Sequence, residues 1–199
     1  MSRGRARKGW VVAAIAAACV IAAGVAAYKI AFPARSSVEV SALLAPGLPA
    51  PSTGPAAEWH VATEMSDEWS SLEPERNRRW RSWGFDDGDE YGIVGQIVVA
   101  YGTPLGAHYG ASLEWAGLLQ HKDIPYADAS ESYESSFADE SHMICQLAQG
   151  VVDACSQWRY VARYGQYTTD LSYRYLPLSQ EEFKIMIATM EEHIATVLE

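Results

Sequence analysis

Two cysteines ten residues apart, Cys145 and Cys155, are the side chains of this sequence best placed to react with each other. In an oxidising compartment such a pair closes into a disulfide. The short loop it would form, around Gly150, gives a loop-entropy stabilisation on the order of 3 kcal/mol. Zinc would need further ligands, and no histidine lies between the two. Redox catalysis would use Cys-x-x-Cys spacing, which the sequence lacks.

The remaining chemical signals lead away from catalysis. Asp86-Asp87-Gly88-Asp89-Glu90 resembles the start of a calcium loop. Setting Asp87 and Asp89 at its first two ligand positions, however, leaves Tyr91 and Val98 where oxygen ligands are required. Gly110-Ala111-Ser112-Leu113-Glu114 begins like a nucleophile elbow but carries Glu114 in place of the second glycine, inside a helical pattern. His60, His108, His121, His142 and His193 have no close ligand spacing, and His193 beside Glu191 and Glu192 reads as a solvated helix end. Carboxylates are abundant enough to allow a glycosidase-like pair, but abundance supplies no geometry. Arg76, Arg78, Arg79 and Arg81 could hold an anion and are expected to pair with neighbouring Asp and Glu. The sequence therefore assigns no catalytic residue, no metal ligand and no cofactor.

Around the cysteines the elements are legible. After Cys155, Trp158, Tyr160, Ala162 and Tyr164 alternate with Arg159, Val161 and Arg163, the period-two pattern of a strand. Gly165-Gln166 supplies a two-residue turn with glycine first, as a type II′ hairpin requires. That turn pairs Tyr164 with Tyr167, Ala162 with Thr169, Tyr160 with Leu171 and Trp158 with Tyr173, and places Asp170 diagonally between Arg159 and Arg163. The aromatic face is expected to be core, since a sheet buries such a stripe. Residues 91–101 are apolar at both parities and predict a central strand covered on two sides.

Thr103-Pro104 predicts a helix start, with the helix running to about Gln120 and Gly106, Gly110 and Gly117 on a stripe that could lie close to the sheet. Ser179 with Glu182 forms a capping box, Leu178 staples onto Phe183, and Phe183, Ile187, Met190, Ile194 and Val197 form the buried stripe of a final helix. Residues 74–83 predict a short helix stopped by Gly84, and 121–140 a polar loop. The fold class expected is α+β: an antiparallel sheet with packed helices, including a C-terminal one.

Charge and composition divide the chain. A basic tail, residues 1–9 with Arg3, Arg5, Arg7 and Lys8, precedes an apolar segment, 10–32, whose stretch from Trp10 to Tyr28 carries no charge. As a helix this stretch would be nearly 30 Å long, about the thickness of a bilayer core. Retained as a transmembrane anchor, it would keep the amino terminus inside and send the remainder out. A cleaved signal ending near Val25-Ala26-Ala27, or a lipidation box at Ala16-Ala17-Ala18-Cys19, competes with that reading; the length of the apolar run favours the anchor. Ala14, Ala18, Ala22 and Ala26 lie on one helix face, a pattern any alanine-rich segment produces.

Residues 33–57 are rich in Ala and Pro and read as a flexible to semi-stiff linker; 58–199 read as one extracytoplasmic α+β domain. Of the 15 Lys plus Arg and 25 Asp plus Glu, that domain holds 9 and 24, a net of 9 − 24 = −15. Such a surface repels nucleic acid and anionic lipid headgroups, leaving cations or basic protein surfaces as partners.

The run Trp158-Arg159-Tyr160 with Ala162-Arg163-Tyr164-Gly165-Gln166-Tyr167 after Cys155, together with the alanine-rich anchor and Ala/Pro linker, resembles small uncharacterised membrane-anchored or exported proteins of high-GC Gram-positive bacteria. The resemblance covers the anchor style and about the last 60 residues. It implies a bacterial cell-envelope setting and carries no activity. The expectation is a single-pass, membrane-tethered binding or protein-interaction domain, with a cell-surface hydrolase assembled from distant carboxylates or histidines as the alternative.

Overall fold

The computed structural model describes residues 3–49, 60–67, 75–86, 91–120, 126–147, 155–174 and 178–199; for 3–15, 60–67, 75–76, 85–86, 91, 147 and 156 the description is of the backbone alone. The chain forms two compact units, Met1–Ala34 and Arg35–Glu199. The first is a single helix, α1 (Arg3–Ala31), in which every side chain described from Ala16 to Ala31 is exposed, Val20 at 72 % and Ile30 at 82 %. Among the described residues no helix is long and apolar enough to cross a membrane. The first part of the expected 10–32 anchor, up to residue 15, lies outside the described side chains.

The second unit is built on one antiparallel sheet. Its strands are β1 (His60–Asp67), β2 (Glu75–Asp86), β3 (Tyr91–Tyr101), β4 (Tyr126–Asp128), β5 (Glu140–Leu147), β6 (Cys155–Tyr164) and β7 (Tyr167–Arg174), in the spatial order β1-β2-β3-β7-β6-β5-β4. Two meanders thus meet at β3 and β7. Helix α2 (Pro104–Leu119) makes the connection from β3 at the centre to β4 at the far edge, and α3 (Gln180–Leu198) ends the chain. The expected α+β class is observed, and β3 is central. The β6–β7 register is also the expected one: Tyr164 opposes Tyr167, Ala162 Thr169, Tyr160 Leu171 and Trp158 Tyr173. Gly165 has φ +61°, as the two-residue turn demands.

Strand alternation sends two sets of side chains to two layers. One face carries Trp83, Val94, Val98, Trp158, Tyr160, Ala162, Tyr164, Leu171 and Tyr173, buried under α3. Helix α3 starts as the sequence predicts, with Ser179 Oγ accepting from the Glu182 N–H and the Glu182 side chain accepting from the Ser179 N–H. It buries Phe183, Met186, Ile187, Met190, Ile194 and Leu198, each contributing about 2 kcal/mol by leaving water. Val197 is only partly buried. The opposite face meets α2 through Ala107 and Ala111. Thr103 caps that helix by accepting from the Gly106 N–H at 3.0 Å.

Several expectations need correction. The proposed linker, 33–57, does not begin as a spacer: Val40, Leu43, Leu44, Ala45 and Leu48 are buried in the same core as α3. Seven strands at about 4.8 Å make a sheet roughly 30 Å wide, and one helix of about 10 Å diameter cannot cover it. Residues 38–48 roof the part of the sheet formed by β2 and β3. Gln96, wholly buried on β3, accepts from the Ala45 N–H at 2.8 Å and donates to the Leu43 carbonyl at 3.2 Å, so backbone polar groups enter the core satisfied. The first unit's boundary accordingly falls at Ala34, and residues 50–57 lie outside the described set.

Residues 75–83 are strand β2, not a helix, because the segment pairs with β3 from Glu75 onward and with β1 from Arg78 onward, and tertiary pairing overrides weak local preference. The supposed loop at 121–140 contains β4 and a 3-10 turn, Ser130–Ser132. The glycine stripe of α2 does not lie against the sheet backbone. A Cβ on Gly110 would strike the Tyr101 ring, and one on Gly117 would meet nothing within 4 Å.

Candidate functional site

Cys145 and Cys155 form the expected disulfide, with Cα atoms 5.4 Å apart. It joins neighbouring strands β5 and β6 where β5 ends and β6 begins, at the end of the pair where Leu147 opposes Cys155. Replacing both cysteines with serine should cost about 3 kcal/mol, read as a shift in the urea midpoint. Equal stability of the reduced and oxidised protein would contradict the bridge. Cys19 is free and exposed.

Three polar constellations surround the sheet. Under α2, Arg159 of β6 is gripped by Asp170 of β7, with Nε 2.9 and 2.8 Å from the two carboxylate oxygens, and by Glu114 of α2 at 2.6 Å from Nη2. Asp170 therefore pairs with one of the two arginines expected, Arg159. Two carboxyl groups share this one guanidinium. Burial, followed by the Asp170 charge, raises the Glu114 carboxyl from 4.5 to about 8, against the opposing pull of Arg159 and Arg78. A shallow cleft lined by Tyr126, Gln157, Arg159, Ser172 and Arg174 adjoins the triad and admits little more than a water molecule.

A carboxyl whose folded pKa exceeds its unfolded one holds its proton more tightly in the folded state, so stability falls as pH rises between about 4.5 and 8. Because 36 % of the Glu114 side chain is exposed, screening trims the effect to a drop of a few degrees in melting temperature. Glu114→Gln should flatten that slope; a variant with the wild-type slope would contradict the assignment.

The second constellation lies where β5 begins. Glu140 Oε2 is 2.7 Å from His108 Nδ1 and accepts from Arg163 Nε at 3.3 Å, while its Oε1 is 3.6 Å from His142 Nε2. His142 stacks on Trp115, ring centroids 4.4 Å apart, pinning α2 to the sheet. Burial alone would raise the Glu140 carboxyl, but the hydrogen bond and charge of His108, with those of Arg163, outweigh it and hold the group below its ordinary value. Its contribution is therefore lost only as pH falls through that lowered value. Arg163, 4 % exposed, also reaches Asp139 at 3.3 Å; Asp139 accepts in turn from Arg35 at 3.4 Å, and Arg35 stacks on Phe137. The meeting of His108 and His142 at Glu140 was not anticipated, although Glu140 and His142 share a strand face by period two.

The third constellation is inside the core. Glu191 of α3, 6 % exposed, accepts hydrogen bonds at Oε1 from Tyr160, Tyr164 and Ser135 (2.7, 2.8 and 2.7 Å) and at Oε2 from Tyr133 (2.8 Å). Burial, and then the carboxylate charge, push the Tyr133 and Tyr160 hydroxyls above the usual phenol range. Burial and the neighbouring Tyr160 and Glu191 do the same to Tyr164. All three phenols remain donors.

Other candidates disperse. Of the arginine group, Arg81 donates to the Ala45 carbonyl at 2.6 Å, tying β2 to the roofing segment, and Arg79 donates to Asn77 on its own strand at 3.0 Å. His193 Nε2 lies 2.9 Å from the Ala42 carbonyl, tying α3 to the roofing segment. His121 and residues 87–90 of the calcium-like loop lie outside the described residues, as do the side chains of His60 and Arg76. Among the described residues no group of three His, Cys, Asp or Glu could hold a metal ion.

No family model matches the chain, and no curated protein matches it. Among solved structures it is similar to the extracellular domain of PknH from Mycobacterium tuberculosis, with 12 % identity, 69 % of this chain and 85 % of that chain covered, and a TM-score of 0.45. What that domain does is not carried over to this chain.

Proposed function

We propose that Arg35–Glu199 is an extracytoplasmic binding or protein-interaction domain of a bacterial cell envelope, tethered to the membrane through the apolar segment 10–32, whose side chains are described only from residue 16. The observation that carries the reading is the Cys145–Cys155 disulfide, a bond that persists in oxidising compartments and is rare in the cytosol. The tether is supported by the charge pattern, four basic residues ahead of a 19-residue uncharged stretch, and by the exposure of the apolar side chains Val20, Ile21, Val25 and Ile30. A domain of net charge −15 outside the membrane is suited to partners with basic surfaces, and its field speeds their encounter.

The hydrolase alternative finds its best carboxyl pair in Glu114 and Asp170. Arg159 bridges that pair, filling the space in which a glycosidic oxygen would have to sit. The arrangement is that of a structural ion cluster.

The test is topology. With Glu199→Cys in a Cys19→Ala background, a membrane-impermeant maleimide should label intact cells. Labelling only after lysis would place the domain in the cytoplasm and overturn the proposal.

A further inference from the structure

Helices α3 and α2 lie on opposite faces of the sheet and are held to it differently. Helix α3 buries six large apolar side chains between Phe183 and Leu198. The buried residues of α2 are Pro104, Ala107 and Ala111, while Leu105, Tyr109, Leu113 and Leu119 lie exposed. A helix that places so little apolar area on the sheet relies on its polar ties, and belongs to the low-stability end of a domain. Those ties are Glu114 to Arg159 at 2.6 Å, beside Asp170, and His108 to Glu140 at 2.7 Å, with the Trp115 ring stacked on His142. Apart from Tyr109, Glu114 and His108 are the titratable side chains of α2.

We propose that α2 is a proton-operated latch, closed on the sheet while Glu114 and His108 hold their protons and released from it, with the rest of the domain still folded, as pH rises. Both ties change in the same direction. Glu114 shares one guanidinium with Asp170 of β7, and two ionised carboxylates so placed repel, so the closed helix keeps a proton that an open, solvated Glu114 gives up. Arg159 of β6 and Arg78 of β2 oppose this, but burial and Asp170 outweigh them; Tyr126 of β4 lies near Arg159. His108 pairs with Glu140 of β5 as an ion only when protonated, and an imidazole loses that charge as pH rises through the neutral range. Around this tie stand Arg163 of β6, 3.3 Å from Glu140, and His142 of β5, 3.6 Å from it. Release leaves each charge of the sheet with a partner, Asp170 on Arg159 and Glu140 on Arg163, so no ion is stranded. It bares Val161 and Ile144, which are buried in the closed state.

The experiment is hydrogen–deuterium exchange of the full chain in mild detergent, following peptides of α2 and α3 between about pH 5.5 and 7.5. Each rate is corrected for the chemical exchange of an unstructured amide at that pH. One proton released per opening allows up to about a tenfold rise in the opening constant per pH unit. The 36 % exposure of the Glu114 side chain screens part of this, so about a tenfold loss of α2 protection over the range is expected. Global unfolding frees Glu114 as well, so level and urea dependence separate the two events. Amides of α2 should exchange at least about tenfold faster than those of α3 at every pH, and low urea should accelerate α3 more, because opening α2 exposes less surface. Glu114→Gln, which keeps the shape and carries no charge, should remove most of the pH slope, and adding His108→Gln should remove the rest. Equal protection and urea dependence of α2 and α3 would show that α2 leaves only by global unfolding and would overturn the proposal, even if the double variant failed to fold. So would α2 protection that is independent of pH, or a wild-type slope in Glu114→Gln.

Discussion

Replacing Glu191 with alanine should destabilise the domain by on the order of 4 kcal/mol, enough to erase a large share of a typical domain's stability. The cost does not come from lost packing on α3. It comes from Tyr133, Ser135, Tyr160 and Tyr164, four hydroxyls that converge on one carboxylate and would be left facing a cavity. Each unsatisfied buried hydroxyl costs about 1 to 3 kcal/mol, reduced where water enters the space. Glu191→Gln separates charge from shape: its amide oxygen still accepts, and Tyr133 can reverse to accept from the amide nitrogen, so a loss of about 1 to 2 kcal/mol is expected. Urea denaturation of the two variants measures the difference. Equal losses for alanine and glutamine would show that the charge itself matters and that the hydroxyl cage does not.

Gly165→Val should cost about 3 kcal/mol, through two independent effects. At φ +61° an L side chain is strained, and a β-branched one most of all. A Cβ there would also lie 2.7 Å from the backbone nitrogen of Arg35 and 2.7 Å from its Cγ. Relieving that clash displaces Arg35, which holds the Gln166 side chain at 2.9 Å, the Phe137 carbonyl at 3.1 Å and Asp139 at 3.4 Å. The hairpin turn and the start of the folded unit would loosen together. Gly165→Ala keeps most of the clash with less torsional strain and should lose roughly 2 kcal/mol. A thermal melt of Gly165→Val within a degree of wild type would refute both effects.

Elements whose partners are near in the chain could be read without coordinates. The β6–β7 hairpin is one, since alternation and a glycine turn leave a single register that keeps Trp158, Tyr160 and Tyr164 on one face. The cap of α3, the cap of α2 and the pairing of Cys145 with Cys155 are others. Glu191, expected with Glu192 and His193 at a solvated helix end, is instead buried, at 6 % exposure; the four hydroxyls that make its burial tolerable come from sequence positions 27 to 58 residues away. The roofing segment was misread for the same reason. Its Pro and Ala content describes a spacer, and only the width of the sheet makes Val40, Leu43 and Leu48 worth burying. The strand at 75–86 likewise depends on neighbours on both sides.

By itself, then, the sequence determined what local physics can decide: period, turn, cap, charge partition and a cysteine pair close enough to bridge. The tertiary structure decided which carboxylates meet hydroxyls and which meet guanidinium, that the segment after α1 is core, and that α2 turns its charges inward and its leucines out. Those outcomes rest on contacts between distant parts of the chain, whose energies are set by burial in a shared interior and leave no periodic mark along the sequence.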